Sequence, residues 1–168
     1  MANLDDILNV IKDRHADADV SVEDSFGDAV MVVAKSQLLD VLTSLKQEGF
    51  DLLLDIAGVD NMKREAPERF ELVYMLYSVG QDLRLRVKVY VPEDDLNVPS
   101  ATGLWQAANW GEREAFDMFG FNFEGHPNLE RILCHREFVG HALRKDYPTL
   151  KGQWATSTSD LRPDLERE

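Results

Sequence analysis

The segment from Leu83 to Val91 constrains the fold more than any other part of the sequence. In its run LRLRVKVYV, the odd positions are apolar and most even positions are charged. Successive side chains of a strand point to opposite faces, so this alternation predicts a half-exposed strand of an antiparallel sheet. Residues 70–79 also have the composition of a strand, and only the short turn 80–82 separates the two. We therefore predict an antiparallel hairpin over residues 70–91.

Other apolar runs predict further strands and helices. Short apolar runs at residues 29–34 and 50–59 are typical of buried strands. Apolar residues at helical spacing predict helices at residues 4–14, from an N-cap at Ser36 to a stop at Gly49, and over residues 101–119, where Gly120 ends the last helix. Gly111, inside that helix, suggests close backbone approach or a kink. The fold class predicted is α/β (α+β), with a single mixed sheet flanked by helices.

The pattern changes after residue 119. Large apolar side chains, among them Phe121, Phe123, Phe138 and Trp154, follow neither strand nor helix spacing, and residues 155–168 are polar and charged. We predict a core domain over residues 1–119, an extended irregular arm over 120–154 and a flexible polar tail over 155–168. Apolar side chains that follow neither helical nor strand spacing cannot all be buried by a single helix or strand. We therefore expect the arm to lie largely on a partner protein, which would cover them.

Composition weighs against several classes of function. The chain has 18 Lys and Arg against 31 Asp and Glu, a net charge of −13, which disfavours nonspecific binding to nucleic acid or anionic lipid. Its single cysteine, Cys134, allows no internal disulfide and no all-cysteine zinc or iron–sulfur site. No run of about 20 apolar residues and no basic targeting segment is present, so we expect neither a membrane span nor a signal peptide.

The densest group of polar residues is Glu112, Arg113, Glu114 and Asp117, near the end of the third predicted helix. Arg113 and Asp117 are four residues apart, a spacing that favours an ion pair on one helix face. Aromatic residues surround them, and charges in such surroundings are usually paired and partly buried. Alternatively, these residues form a solvated helix face without a specific role.

Catalytic and metal-binding interpretations of the sequence are less well supported than a structural one. The phosphate-binding motifs GxxxxGK[ST] and GxGxxG and the nucleophile motif GxSxG are absent. Glu112 and Asp117 match a glycosidase pair by residue type only. A nucleophilic Cys134 beside His135 is disfavoured because neighbours on an irregular segment rarely point at each other. His126, His135 and His141 lack the i, i+4 spacing of helical zinc sites, which favours loop-locking hydrogen bonds.

A long motif identifies a family resemblance. The string WGEREAFDMFGFNFEGHP, which starts at Trp110, is followed by NLERIL and GHALRKDYP. It resembles the 30-kilodalton subunit of the respiratory NADH–quinone oxidoreductase, complex I, and the resemblance spans residues 26–152. Ala142 stands where the family often has proline, and the strand-like arm that many relatives have after Gly152 is not matched. The matching motif positions are Glu112, Arg113, Glu114, Asp117, Gly120, His126, Pro127, Arg131, Ile132, Gly140, His141, Leu143, Arg144, Lys145, Asp146, Tyr147 and Pro148.

The resemblance implies a non-catalytic structural subunit of the peripheral arm of a proton-translocating enzyme that passes electrons from NADH to quinone. FMN, iron–sulfur clusters and quinone are then expected on partner subunits, with no catalytic, cofactor-binding or metal-binding residue on this chain. The expected partners are the quinone-pocket subunit and the terminal iron–sulfur subunits, at the cytoplasmic face of the bacterial inner membrane. The motif residues become interface candidates, and Arg131, Arg144, Lys145 and Asp146 are expected to form charge pairs with a partner.

Two other functions stay open at this stage. One is the homologous subunit of a related membrane-bound oxidoreductase that uses reduced deazaflavin or ferredoxin, or of an energy-converting hydrogenase. The other is a free-standing carboxylate or metal hydrolase that uses Glu112, Asp117 and His126.

Overall fold

The computed structural model describes residues 4–15, 20–25 and 28–148. Most of the helices and strands have the boundaries that the sequence patterns predict, within two residues. The elements, in chain order, are α1 (Leu4–Arg14), β1 (Val20–Ser25), β2 (Asp28–Val33), α2 (Leu38–Gln47), β3 (Leu52–Asp60), β4 (Phe70–Ser78), β5 (Leu83–Val91), β6 (Asn97–Pro99), α3 (Ala108–Phe119) and β7 (Asn122–Glu124).

A five-stranded mixed sheet with the order β1-β2-β5-β4-β3 is the frame of the molecule. Strands β2 and β5 are parallel, and the other neighbours are antiparallel. The hairpin of β4 and β5 is confirmed, since Phe70 lies opposite Val91 and Ser78 lies opposite Leu83. The predicted fold class, a mixed α/β sheet flanked by helices, is confirmed as well.

One face of the sheet carries the core. The odd positions of β5 are mostly buried, and they join one apolar cluster with Leu72 and Tyr74 of β4. Helices α1, α2 and α3 contribute to the same cluster, for example through Ile11, Leu42 and Phe119. The even positions of β5 lie on the opposite, more exposed face, as the alternation predicts.

Helix α3 packs unusually close to the edge strand β3. A Cβ atom at Gly58 would lie 2.5 Å from Cδ2 of Phe119, and one at Gly111 would lie 3.0 Å from Cβ of Ile56. A larger residue at Gly58 would force the Phe119 ring to shift, and one at Gly111 would crowd Ile56. The close backbone approach suggested by Gly111 is therefore found, and it fixes the helix on which the candidate site is built.

The third helix begins later than expected. Residues 101–107 form turns, and α3 starts at Ala108 rather than at residue 101. The reason is that the Ala101 N–H and the Ser100 hydroxyl both donate to the carboxylate of Glu112, which keeps this stretch outside the helix. Ser36 does not cap α2 either, because a 3-10 turn at Lys35–Gln37 leads into that helix. None of the helices among the described residues has the length and apolarity that crossing a bilayer requires.

Three strands were not predicted from the sequence. Strand β1 pairs antiparallel with β2, and the three-residue strands β6 and β7 form a separate parallel pair. Strands of three residues are too short to show an alternating pattern, and β1 (VSVEDS) is largely polar.

The expected arm starts inside the core. Phe121 and Phe123 are buried in the same apolar cluster as the sheet, which corrects the expectation that they cover a partner. Residues 125–148 then form turns and bends without helix or strand, as their aperiodic pattern predicts. Trp154 and the expected polar tail lie outside the described residues, and the division of the chain at residues 119 and 154 stays a prediction.

Candidate functional site at the end of helix α3

The Asp117 carboxylate lies at the centre of the long sequence motif and is completely buried. It accepts hydrogen bonds from the backbone N–H groups of Ile132 (3.0 Å), Leu133 (2.8 Å) and Cys134 (2.8 Å), and from the Arg131 guanidinium (2.6 Å). Burial alone would raise the pKa of Asp117, but these donors hold it below its ordinary value. An ionised carboxylate therefore fixes the backbone of residues 131–134 against the helix.

The end of α3 is capped by the same irregular segment. Arg131 Nη1 and His141 Nδ1 contact the Asp117 carbonyl, the Leu143 N–H donates to the Met118 carbonyl, and Arg144 Nε donates to the Phe119 carbonyl at 2.6 Å. The last carbonyls of a helix have no partner within it and carry partial negative charge, so cations and donors are favoured there. This ring of donors attaches residues 131–144 to the helix terminus.

Gly120 makes the cap possible. Its φ of +88° is the left-handed conformation that glycine adopts at a helix end. A Cβ atom there would lie 2.6 Å from Arg144 Nη2 and 2.7 Å from His141 Nε2. Both the conformation and the space therefore require glycine, and the stop predicted at Gly120 is confirmed.

The predicted ion pair between Arg113 and Asp117 is not formed. Asp117 points inward and pairs with Arg131, while Arg113 donates to the carbonyls of Glu130 and Arg131. The spacing rule describes pairs on an exposed helix face, and here a loop supplies better donors. The Arg113 guanidinium also lies 5.5 Å from the centre of the Trp110 ring, which is largely exposed.

Glu112 is buried against the turns that precede α3. Its carboxylate accepts hydrogen bonds from the Ser100 hydroxyl and the Ala101 N–H, both at 2.6 Å. Burial raises the pKa of Glu112 to about 7, although the two hydrogen bonds oppose the shift. The buried Tyr74 hydroxyl has no hydrogen-bond partner in the described structure, and burial together with the charge of Glu112 raises its pKa.

His126 joins the loop after β7 to the start of α3. Its Nδ1 accepts from the Asn128 N–H at 3.0 Å, so Nε2 carries the proton and faces the Asn109 carbonyl at 3.2 Å. These bonds hold the turn at Pro127 and agree with the loop-locking role favoured from the sequence.

A second buried carboxylate attaches the end of the segment to the sheet. Asp60, at the end of β3, pairs with Arg69 at 3.1 Å and accepts from the N–H groups of Met62 and Lys145. Burial would raise the pKa of Asp60, but the hydrogen bonds from Arg69, Lys145 and Met62 hold it below its ordinary value. Asp146 adds a bond to Arg69 at 3.0 Å. Nothing in the sequence pattern marked Asp60 and Arg69 as site residues.

The charges expected to pair with a partner mostly pair within the chain. Arg131 binds Asp117, Asp146 binds Arg69, and Arg144 binds the Phe119 carbonyl while its guanidinium lies 5.1 Å from the Phe70 ring centre. Lys145 contributes its backbone N–H, and the residue is exposed. Arg131, Arg144 and Asp146 therefore already have partners within the chain, and their pairing with another subunit stays a prediction. The motif residue Pro127 is exposed, and Glu114 is exposed as well.

Glu112, Asp117 and His126 each bind different neighbours, and no hydrogen bond among the described residues joins any two of them. Burial and the Asp117 charge raise the pKa of the Cys134 thiol, which disfavours a nucleophilic thiolate. Within residues 4–15, 20–25 and 28–148, no three His, Cys, Asp or Glu side chains are grouped to hold a metal.

Sequence comparison places these features in a known context. The model of the family described as "Respiratory-chain NADH dehydrogenase, 30 Kd subunit" matches residues 31–153. A NADH-quinone oxidoreductase subunit of Citrifermentans bemidjiense is 42% identical over 139 residues, which cover 82% of this chain and 85% of that protein. The subunit of the same name from Burkholderia multivorans is 45% identical over 138 residues, which cover 77% and 68% respectively.

Two solved structures are similar in fold. Nqo5, in a trypsin-resistant fragment of residues 1–134, has a TM-score of 0.68 and 36% identity, covering 75% of this chain and 98% of the fragment. A chain of the membrane-bound sulfane sulfur reductase, described as an archaeal respiratory membrane complex, has a TM-score of 0.74 and 26% identity, covering 98% of this chain and 94% of that one.

Proposed function

The chain belongs to the family of the 30-kilodalton subunit of the respiratory-chain NADH dehydrogenase, and we therefore propose that it is a non-catalytic structural subunit of a proton-translocating NADH–quinone oxidoreductase. In this role it braces the quinone-reducing module of the peripheral arm, beside the subunits that hold the terminal iron–sulfur cluster and the quinone pocket. The complex is a hetero-oligomer, and this subunit lies at the cytoplasmic face of the bacterial inner membrane.

The proposal rests on the observation that the buried carboxylates bind groups of their own chain. Glu112, Asp117 and Asp60 are all buried, and donors of the same chain occupy each of them. Such groups fix backbone positions, and a site whose side chains are held by packing and hydrogen bonds presents a constant surface to its neighbours. Electron transfer between fixed cofactors needs constant spacing, which a rigid brace can supply.

We propose that the redox groups belong to the neighbours. FMN, the iron–sulfur clusters and quinone then bind to partner subunits, and the isolated chain binds none of them. The single cysteine cannot by itself hold an all-cysteine cluster, which supports this division of roles.

Affinity purification of the tagged chain from native membranes tests the proposal. Flavin-, iron–sulfur- and quinone-binding subunits should co-purify, and deletion of the gene should abolish NADH-dependent quinone reduction by membranes until the gene is restored. Metal analysis and visible absorption of the separately purified chain should detect no stoichiometric metal or chromophore. A free-standing chain with its own metal and a hydrolase activity would contradict the proposal.

A second candidate function, as a subunit of another kind of respiratory membrane complex, is supported by a separate observation. The similarity to the sulfane sulfur reductase chain extends over nearly the whole of both proteins, so the same scaffold occurs in a respiratory membrane complex of another kind. Recovery of a complex that lacks NADH- and flavin-binding subunits would favour this alternative.

A further inference from the structure

A groove beside the edge strand β3 lies outside the network of buried carboxylates described above. It lies between the edge strand β3 and helix α3 and has a volume of about 310 Å³. The lining residues that matter here are Leu54, Asp55, Trp110, Gly111, Glu114 and Ile132. Gly111 has no side chain, and a Cβ atom there would lie 3.0 Å from Cβ of Ile56, so helix and strand approach closely at this part of the groove.

Large apolar side chains form its rim. The lining residues Trp110 and Leu54 are 64% and 55% exposed. Arg113 lies over the Trp110 ring and is itself held by the carbonyls of Glu130 and Arg131. Exposed aromatic residues in a fixed position are typical of the central anchors of protein interfaces.

The edge of β3 is not built to receive another strand. Its pairing with β4 is irregular between Leu53 and Asp55, and Asp55 Oδ1 accepts the Ile56 N–H at 2.8 Å. A bulge and an occupied backbone donor both prevent regular strand addition. The groove therefore fits side chains of a partner rather than an extended backbone.

The negative charge of the groove favours a basic side chain on the partner. Its lining includes the carboxylates of Asp55 and Glu114, while the nearby cation Arg113 is committed to carbonyls of its own chain. We propose that the groove is the docking site for a segment of a neighbouring subunit that inserts an aliphatic or aromatic side chain beside a lysine or arginine. This inference rests on the proposed function as a subunit of a hetero-oligomer.

Two variants in the groove and two matched controls test the inference in the full chain. Trp110→Ala removes the anchor and Glu114→Lys reverses the charge. Val79→Ala and Glu68→Lys make the same kinds of change at exposed positions of the turn after β4 and of the loop before it. The amount of tagged chain recovered with other subunits from native membranes is compared with the thermal midpoint of each purified chain.

We expect both groove variants to lower recovery in the complex by about tenfold or more. Truncating an interface anchor commonly has an effect of this size, and Glu114→Lys places like charges opposite each other in the interface. Their thermal midpoints should match those of the controls, which should assemble as the wild type does. If the groove variants assemble normally into an oxidoreductase complex, the groove is not a docking site, although the proposed function stands. If they unfold the purified chain as strongly as they deplete the complex, the docking role is equally overturned. If even the wild-type chain recovers no oxidoreductase subunit, the proposed function fails, and the groove inference with it.

Discussion

The hairpin of β4 and β5 and the irregular segment 125–148 are held in place by different forces. In the hairpin, alternate side chains such as Val87 and Leu72 are buried in an apolar cluster that includes residues of all three helices, and backbone pairing is continuous over nine residues. The segment 125–148 has no helix or strand, and its largest apolar residues include the exposed Leu133, Val139 and Leu143. It is attached by two buried carboxylates, Asp117 and Asp60.

The difference teaches how an aperiodic segment can keep one conformation. Apolar burial is nondirectional, and it needs a period to select one face of an element. A buried carboxylate is directional, and donors left without it would be costly. Substitutions at the carboxylates should therefore affect the segment more than the hairpin.

The largest effect is expected for Asp117→Ala. The change leaves the Arg131 guanidinium and three backbone N–H groups without their acceptor, and breaking a buried pair of this kind costs about 3–5 kcal/mol. Urea unfolding of the purified chain should show a loss of unfolding free energy in that range. Glu114→Ala, on the same helix but exposed, is the control and should change it little; equal effects of the two would contradict the account.

The second effect concerns pH. The folded chain favours protonated Glu112, with a pKa of about 7 against an ordinary value of 4.5, so this group's stabilising contribution is complete below pH 4.5 and is lost as pH rises through about 7. The loss amounts to about 3 kcal/mol. Glu112→Gln should remove this pH dependence from the unfolding free energy, whereas Glu114→Gln should retain it. Parallel pH curves for wild type and Glu112→Gln would show that Glu112 does not titrate in this range.

A smaller effect is expected for Arg144→Ala. The variant loses the hydrogen bond to the Phe119 carbonyl and the contact with the Phe70 ring, which together are worth about 1–2 kcal/mol. The thermal midpoint of the purified chain should fall accordingly. An unchanged midpoint together with lost assembly would contradict this stabilising role and support the expectation that Arg144 acts at an interface.

The smallest effect is expected for Asp146→Asn. The carboxylate is 45% exposed, and partly exposed ion pairs contribute at most about 1 kcal/mol. Raising the salt concentration should reduce the difference from wild type further, because salt screens exposed pairs. A difference that persists at high salt would indicate a contact other than the pair with Arg69.

The sequence was informative where side chains follow a period. The alternation in residues 83–91 and the helical spacing of Leu4, Ile7, Leu8 and Ile11 each specify an element and its buried face. The motif around Asp117 also indicated the part of the chain in which the candidate site lies. Aromatic neighbours correctly indicated that Asp117 is paired and buried, whereas Glu114 is exposed.

The partners of those charges could not be predicted from the sequence. Asp117 binds residues 14 to 17 positions away, and Asp60 binds the N–H of Lys145, 85 positions away. Helical spacing suggested Arg113 as the partner of Asp117 instead. Spacing rules apply within one helix, and they do not predict which distant loop packs against it. The late start of α3 has the same cause, since the bond between Ala101 and Glu112 forms only after the chain has folded back.

Amide hydrogen exchange tests the central claim most directly: that buried carboxylates, rather than apolar burial, hold the irregular segment, with Asp117 fixing residues 132–134. In the wild type, the amides of Ile132, Leu133 and Cys134 should exchange slowly although they lie outside any helix or strand, because each donates to Asp117. In Asp117→Ala these three amides should exchange at rates near those of an open chain, while amides in the centre of β4 and β5 stay protected. Fast exchange of the three amides already in the wild type, or equal loss of protection in the hairpin, would contradict the account.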